Sequence, residues 1–323
     1  MRYPVNEVRT LLERVFRAHG ATADEAATLA DVLIEAELRG RPTHGLIRAP
    51  AIARSLRERS RGTIRIVEER GPLVRIDGGD QSGYLVAAFM ADTAVRVARR
   101  QGHALLGARN TRHSGMLGYY VSRVAEAGVV ALMMADCGPL VTPWGARDPV
   151  LGTNPIAAAF PATPYPVLID LGTGSTTYGA VQHARETGSL LPEGCALDAE
   201  GRPTTDPERV SAIVPFGGHR GYAIALMVQI LSGAFVGAAP VPDGRSDYGI
   251  FMLAMRPDLF CSPDEYENRI AEVIRRVKSA RPLRAGDEIR IPGERAWRER
   301  EHRLRDGLDV PEELHRQLVR LTG

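Results

Sequence analysis

Apolar residues recur at helical spacing through the first 60 or so positions. Val8, Leu11, Leu12, Val15 and Phe16 keep the i, i+3, i+4 rhythm of one buried face, with Asn6 as its cap and Gly20 as its stop. Thr22-Ala-Asp-Glu25 reads as a capping box, in which the hydroxyl covers an amide three residues on and the glutamate reaches back. The helix it opens carries Ala26, Leu29, Val32, Leu33 and Ala36 on one side and stops at Gly40. After the break Arg41-Pro-Thr-His-Gly45, another helical run begins near Leu46. The pattern predicts an all-α N-terminal unit.

From Thr63 the period changes. Short β-like runs alternate with small-residue helices: Thr63–Val67, Leu73–Asp77, a helix over Leu85–Arg99, a strand near Ala104–Ala108 and a helix over Leu117–Glu126. Strands follow at Val129–Met134, Ile156–Phe160, Val167–Leu171 and Gly249–Met255, and the tail from Pro263 returns to mixed-charge helix. This alternation predicts an α/β sheet domain covered by helices. The passage Glu193–Pro207 is polar and rich in turn residues. Tyr222–Pro242 carries no charge over about 20 residues, long enough to span a bilayer. Gln229, Ser232 and Gly233 interrupt it, and the better reading is a helix buried in a core or subunit interface.

Composition narrows the class. A chain of 323 residues with 44% hydrophobic and 25% charged side chains can build a large core, as two domains or one elaborated one. Its 41 basic and 39 acidic residues give no electrostatic case for nucleic acid or an acidic membrane as the main partner. The arginine-dense runs at 54–61 and 295–305 are interleaved with glutamates and read as solvated helix faces. Cys137, Cys195 and Cys261 are widely spaced, which suits a reducing compartment and supports neither a disulfide framework nor a zinc site. No apolar leader opens the chain. The expectation is a soluble, cytoplasmic protein with no metal, no membrane and no nucleic-acid partner.

Four segments carry candidate chemistry. In Thr43-His44-Gly-Leu-Ile-Arg48, a helix starting at His44 would set the imidazole and the guanidinium one turn apart. An imidazole exchanges protons near neutral pH, and a guanidinium clamps a carboxylate through two parallel hydrogen bonds. A reductase of 2-oxo or 2-imino acids needs both; a helix cap and a surface arginine would look the same. Arg109–Gly115 joins a strand to a helix, where backbone amides can hold phosphate and His113 either meets a ligand or caps the helix. Leu151-Gly-Thr-Asn-Pro155 suits a pocket or an ordinary turn equally. Gly217-Gly-His-Arg-Gly221 lets a backbone approach closely, with Arg220 supplying charge for a pyrophosphate or a 2′-phosphate. Gly172-Thr-Gly174 imitates a dinucleotide fingerprint but lacks the third glycine, since Thr177 stands there, so a standard Rossmann domain is rejected.

Taken in order, the motifs resemble the malate/L-lactate dehydrogenase type-2 family, which includes ureidoglycolate and sulfolactate dehydrogenases and Δ1-piperideine-2-carboxylate reductases. The matching stretches are Arg39-Gly40, Thr43-His-Gly-x-x-Arg48-x-Pro50, Asn110-x-x-His113-x-Gly115, Pro143-Trp-Gly145, Leu151–Ile156 and Asp170-Leu-x-Thr173. Leu191–Gly194, Gly201–Pro207, Pro215–Gly218, Gly221-Tyr222 and Ile291–Glu294 continue the series along nearly the whole chain. The resemblance implies an α/β, non-Rossmann fold: a central mixed-sheet α/β domain plus a helical part formed by both chain ends. The expected division is 1–70 helical, 71–262 for the cofactor and substrate domain, and 263–323 helical and packed on the N-terminal part.

The resemblance also implies a homodimer with its site near the subunit interface, acting on a small carboxylic acid with NAD(P)H, NADPH being slightly favoured by Arg220. It makes Thr43 and His44 the proton relay, Arg48 the carboxylate anchor and Thr153 a substrate contact. His113 sits at the nicotinamide and in some members is itself the acid/base. His113, Ser114, Gly115, Asp170, Leu171, Gly172, His219, Arg220, Pro292, Gly293 and Glu294 line the cofactor. This chain departs from the family pattern in places. Thr43 replaces the usual serine, Arg220 the usual lysine, and Ile52 the tyrosine of hydroxy-acid members. Those members also carry a lysine where Ala180 stands, and imino-acid reductases an aspartate.

Overall fold

The computed structural model describes residues 1–58, 62–242 and 247–323. Positions 59–61 of the 54–61 arginine run therefore lie outside the described residues. The chain opens with β1 (Arg2–Tyr3), α1 (Val5–Ala18) and α2 (Ala23–Leu38). Two 3-10 turns, Pro42–His44 and Leu46–Arg48, lead into α3 (Ala49–Glu58). Then come β2 (Arg65–Arg70), β3 (Leu73–Gln81), α4 (Gly83–Gln101), β4 (His103–Thr111) and α5 (Leu117–Glu126). β5 (Val130–Ala135), β6 (Ile156–Phe160), β7 (Val167–Leu171) and α6 (Tyr178–Thr187) follow. Next are the short strands β8 (Ala196–Leu197) and β9 (Ala212–Ile213), then α7 (His219–Gln229), which runs on as a π-helical turn over Ile230–Phe235. The chain closes with β10 (Tyr248–Met255), α8 (Pro263–Lys278), α9 (Glu294–Asp306), β11 (Leu308–Asp309) and α10 (Glu312–Arg320).

The capping box at the start of α2 forms as its spacing predicts: the Thr22 hydroxyl accepts from the Glu25 amide and the Glu25 carboxylate accepts from the Thr22 amide. All five apolar residues of its predicted face are buried. Asn6 does not cap α1. Pro4 takes that place, its fixed φ suiting a helix entry, and Asn6 lies in the first turn.

Seven strands form one sheet in the order β2-β3-β4-β10-β5-β6-β7. Only β3 and β4 run parallel, joined by α4; every other pair is antiparallel. β10 enters from far along the sequence between β4 and β5, and its apolar run is buried on both faces of the sheet. The chain joins the sheet at Arg65, five residues before the boundary expected at 70. α4 and α5 cover one face, with α2 behind them, and α7 with its π-helical turn covers the other. The two chain ends meet: β1 pairs antiparallel with β11, and α10 packs on α1 and α3.

Burial of the uncharged Tyr222–Pro242 stretch within this chain is one-sided. Ala225, Val228, Ser232 and Gly233 face inward, while Leu226, Met227, Ile230 and Phe235 stay exposed. Among the described residues no helix is long and apolar enough to cross a membrane.

Candidate functional site

The segment after α2 is shaped by one buried carboxylate. Glu37, on the inner side of α2, accepts from the Leu46 amide at 2.8 Å. Desolvation pushes its pKa up, and that hydrogen bond opposes the shift. Gly45 sits on this carboxylate, where any side chain would collide. The chain therefore breaks at Gly45 into two 3-10 turns. His44 and Arg48 do not share one α-helical face, which corrects the sequence expectation. They are joined differently: Arg48 Nε donates to the Thr43 carbonyl at 2.7 Å, and Thr43 Oγ1 and His44 Nδ1 share a hydrogen bond of 3.1 Å. The remaining guanidinium nitrogens of Arg48 meet no carboxylate among the described residues.

His113, Ser114 and Gly115 run between β4 and α5, pressed from behind by the start of α4. Gly83 lies so close to the Arg112 and His113 backbone that a Cβ there would clash. Gly115 has φ +73° and lies against the Tyr84 ring, so it meets both a backbone and a space demand for glycine. Tyr120 donates to the Ser114 carbonyl at 2.7 Å. His113 is exposed at the surface of the chain, with the Tyr84 ring against it, and part of its ring is desolvated by the surrounding protein. That desolvation, with Arg48 and then His44 nearby, lowers its pKa to about 3. His44 is lowered to about 4, by desolvation first and then by Arg48 and Arg41. Both imidazoles are neutral at pH 7, each with one N–H and one lone pair.

β7 gathers most of the other candidates. The Asp170 carboxylate accepts from the Gly118 amide at 2.9 Å, in the first turn of α5. Desolvation raises its pKa to about 6 against that hydrogen bond and the charges of Arg41 and Arg39. The Gly118 amide in the first turn of α5 is thus already taken. Beyond β7, Thr173 donates to the Thr153 carbonyl through its amide (2.8 Å) and its hydroxyl (3.0 Å). Gly172 packs on the same carbonyl, the Leu171 side chain is exposed, and Thr153 Oγ1 lies 3.7 Å from Cys137 Sγ. At the other end of β7, the Leu168 amide donates to Pro292 and Gly293 packs against Leu168. The Glu294 carboxylate serves its own loop, accepting from the Ile291 amide at 3.1 Å and Lys278 at 2.7 Å and pairing with Arg298.

The Phe216 amide donates to the Thr173 carbonyl at 3.0 Å, which brings the start of α7 beside the end of β7. Gly217 and Gly218 hold φ +57° and +66°, and His219 and Arg220 follow, exposed in the first helical turn. The Trp144 ring lies over Gly218 and meets His219 edge-on at 6.5 Å.

The fold thus assembles Thr43, His44, Arg48 and His113 into one electrostatic cluster and ranges Thr153, Asp170–Gly172 and Pro292–Gly293 along β7. Three neighbours escaped the sequence reading. Glu37 shapes the Gly45 turn, Gly179 of α6 touches Thr43 and Arg48, and Tyr84 backs His113. None carries a spacing signal; only Ser82-Gly83 at a strand–helix joint marked the place of Tyr84.

A guanidinium with no carboxylate partner among the described residues, beside two neutral imidazoles, can bind an anion and move a proton. The exposed, glycine-led start of α7 with Arg220 fits the phosphates of a dinucleotide. The chain belongs to the malate/L-lactate dehydrogenase family, whose model matches residues 3–319, and it is an oxidoreductase. It is 34% identical over 333 residues to the L-sulfolactate dehydrogenase of Methanothermobacter thermautotrophicus, covering 99% of this chain and 95% of that one. It is 32% identical over 339 residues to a Delta(1)-pyrroline-2-carboxylate/Delta(1)-piperideine-2-carboxylate reductase of Pseudomonas putida, with 100% and 97% covered. A solved dehydrogenase from Sinorhizobium meliloti superimposes with a TM-score of 0.93 at 30% identity, over 100% of this chain and 98% of that chain. Membership in this family implies a nicotinamide cofactor.

Proposed function

We propose that this chain reduces C2 of a small 2-oxo acid, or of its cyclic 2-imino counterpart, using NADH or NADPH. One observation carries the reading: Arg48 has no carboxylate partner among the described residues and lies within electrostatic reach of both neutral histidines. A buried-side cation in that state favours an anionic ligand, and a carboxylate matches its fork. Thr43 and His44 then hand a proton to the C2 oxygen or nitrogen, and Thr153 contacts the substrate. The cofactor, when bound, supplies the hydride. His113–Gly115, Asp170–Gly172, His219–Arg220 and Pro292–Glu294 are the residues to hold it, Asp170 and Glu294 through backbone and loop shape because their carboxylates are engaged. Arg220 tilts the preference slightly to NADPH.

The same reading takes the protein as a cytoplasmic homodimer with a helical part built from both chain ends around a non-Rossmann α/β domain. The exposed Leu226, Met227, Ile230 and Phe235 supply an apolar face for the second subunit.

A narrower version, a reductase of cyclic imines alone, is favoured by one contact. Gly179 abuts Thr43 and Arg48, and the next residue in α6 is Ala180, uncharged where related enzymes are expected to carry a charge. A cyclic imine arrives protonated at neutral pH and needs less help from an acid. The test is a panel of 2-oxo acids and cyclic imino acids followed at the nicotinamide absorbance, with both nucleotides titrated by protein fluorescence. Turnover of oxo acids rejects the narrower version. Saturable nucleotide binding with no turnover leaves a redirected binding subunit, and no saturable binding of either nucleotide overturns the oxidoreductase chemistry proposed for this site.

A further inference from the structure

Tyr84 opens α4, and its ring is packed between the backbone of Gly115 and the edge of His113, with 5.7 Å between ring centroids and 76° between planes. The side chain is 2% exposed, and its hydroxyl is buried without a hydrogen-bond partner among the described residues. Desolvation pushes its pKa up to about 12, with Arg48 pulling the other way, so the hydroxyl stays protonated and within electrostatic reach of the anchor. An unmade hydrogen bond in a buried position is costly, and a phenylalanine would fill the same space without that cost. The hydroxyl therefore asks for a reason. The ring packed edge-on against Tyr84 is that of His113, and Gly115 lies against it.

Resting on the oxidoreductase reading above, we propose that the Tyr84 hydroxyl is a positioning group for His113. It donates to one ring nitrogen after a small rotation of the imidazole and holds the tautomer whose N–H faces the open side of the cleft. A neutral imidazole has a single N–H to offer, and which nitrogen carries it is decided by the bond the other nitrogen makes. A protonated phenol behind the ring can donate to a ring nitrogen or accept from its N–H; the arrangement proposed is the donating one, which leaves the N–H in front. Gly115 completes the device: with φ +73° and no Cβ it is the residue that lets the phenol ring reach this position.

The variant that tests this is Tyr84→Phe. It removes one oxygen and nothing else, so its thermal midpoint is expected to equal or exceed that of the parent, while nucleotide affinity falls because His113 no longer holds its N–H toward the cofactor. On any substrate the parent turns over, kcat is expected to fall about tenfold or more at unchanged KM. Heteronuclear NMR of the His113 ring nitrogens in the free protein gives a readout that needs no activity: one tautomer in the parent, a mixture in Tyr84→Phe. Unchanged kcat, or ring-nitrogen signals identical in the two proteins, overturns the proposal. A tautomer mixture in the parent overturns it without any variant. If neither protein turns over the panel, the proposed reaction falls, and the ring-nitrogen signals still decide the role of Tyr84.

Discussion

Arg48 Nε donates to the carbonyl oxygen of Thr43 at 2.7 Å, so the side chain available to anchor an anion also fixes the turn that carries His44. Lysine has no donor geometry that can serve the Thr43 carbonyl and fork a carboxylate at once. Arg48→Ala and Arg48→Lys are both expected to lower kcat/KM. Charge-assisted hydrogen bonds of this kind contribute about 1.5–3 kcal/mol, which is at least roughly tenfold in steady-state kinetics. Parent-like kinetics in a folded Arg48→Ala protein would assign the residue to the turn alone.

Gly179 is the second handle on that turn. A Cβ there would stand 2.9 Å from Thr43 Cβ and 3.3 Å from Arg48 Nη2. Gly179 is the second residue of α6, a first-turn position where alanine does not hinder the helix itself. Gly179→Ala should instead push Thr43 and Arg48 out of place. Overpacking of this size costs about 1–3 kcal/mol, and the expected result is a loss of about fivefold or more in kcat/KM with the fold retained. Unchanged kinetics would mean that the 42–48 turn yields freely.

The two histidines should part company on mutation. His44→Ala is expected to remove most turnover, on the order of 10²-fold or more for a lost general acid, and to leave nucleotide affinity near the parent value. His113→Ala is expected to weaken nucleotide binding. The depressed values, about 4 and about 3, add a linkage. A carboxylate that neutralises Arg48 removes part of what depresses them, so binding of an unreactive acid such as oxamate should take up protons in mildly acidic buffer. Calorimetry in buffers of different ionisation heat reads this directly, and a binding enthalpy independent of buffer would count against the cluster. If oxo acids are good substrates and only His113→Ala is inactive, the donor is His113.

Asp136 offers a stability test away from the site. It is buried, accepts from the Gly249 amide at 2.7 Å and from Gln229 at 3.1 Å, and has its pKa raised to about 7, chiefly by desolvation. The unfolded chain releases this proton near pH 4. The contribution to stability is therefore complete below about pH 4 and is lost as pH rises through about 7. Between pH 6 and 8 that loss comes to about 1 kcal/mol. His44 and His113 act in the opposite sense there, because the unfolded histidines bind protons that the folded ones refuse. The clean quantity is the difference between proteins: across that window the stability of Asp136→Asn should rise relative to the parent by about 1 kcal/mol in urea unfolding. Parallel pH dependences would mean that Asp136 is ionised in the folded state.

Local signals in the sequence were sufficient for much of the framework. The Thr22–Glu25 box, the face of α2, helix Leu117–Glu126 and strands Ile156–Phe160 and Val167–Leu171 form where periodicity and capping put them. Each depends on hydrogen bonds and burial patterns repeated within a few residues, which is the range over which a sequence pattern carries information. The ordered motifs likewise revealed the family, because they preserve chemistry at positions that many folds would scatter.

Tertiary structure alone decided the rest. No local rule says that β10 will insert between β4 and β5, since that place is set by which strand can bury both faces at the centre of the sheet. The break at Gly45 depends on Glu37, a carboxylate eight residues earlier that only the folded helix brings beneath it. Asp170 finds the Gly118 amide, and Tyr84 finds His113, across separations that sequence spacing does not encode. The sequence by itself determined which helices and strands could form and which residue types were at hand for anion binding and proton transfer. Only packing decided which of them face one another, because the low pKa values of His44 and His113 and the open nitrogens of Arg48 arise from neighbours supplied by other elements.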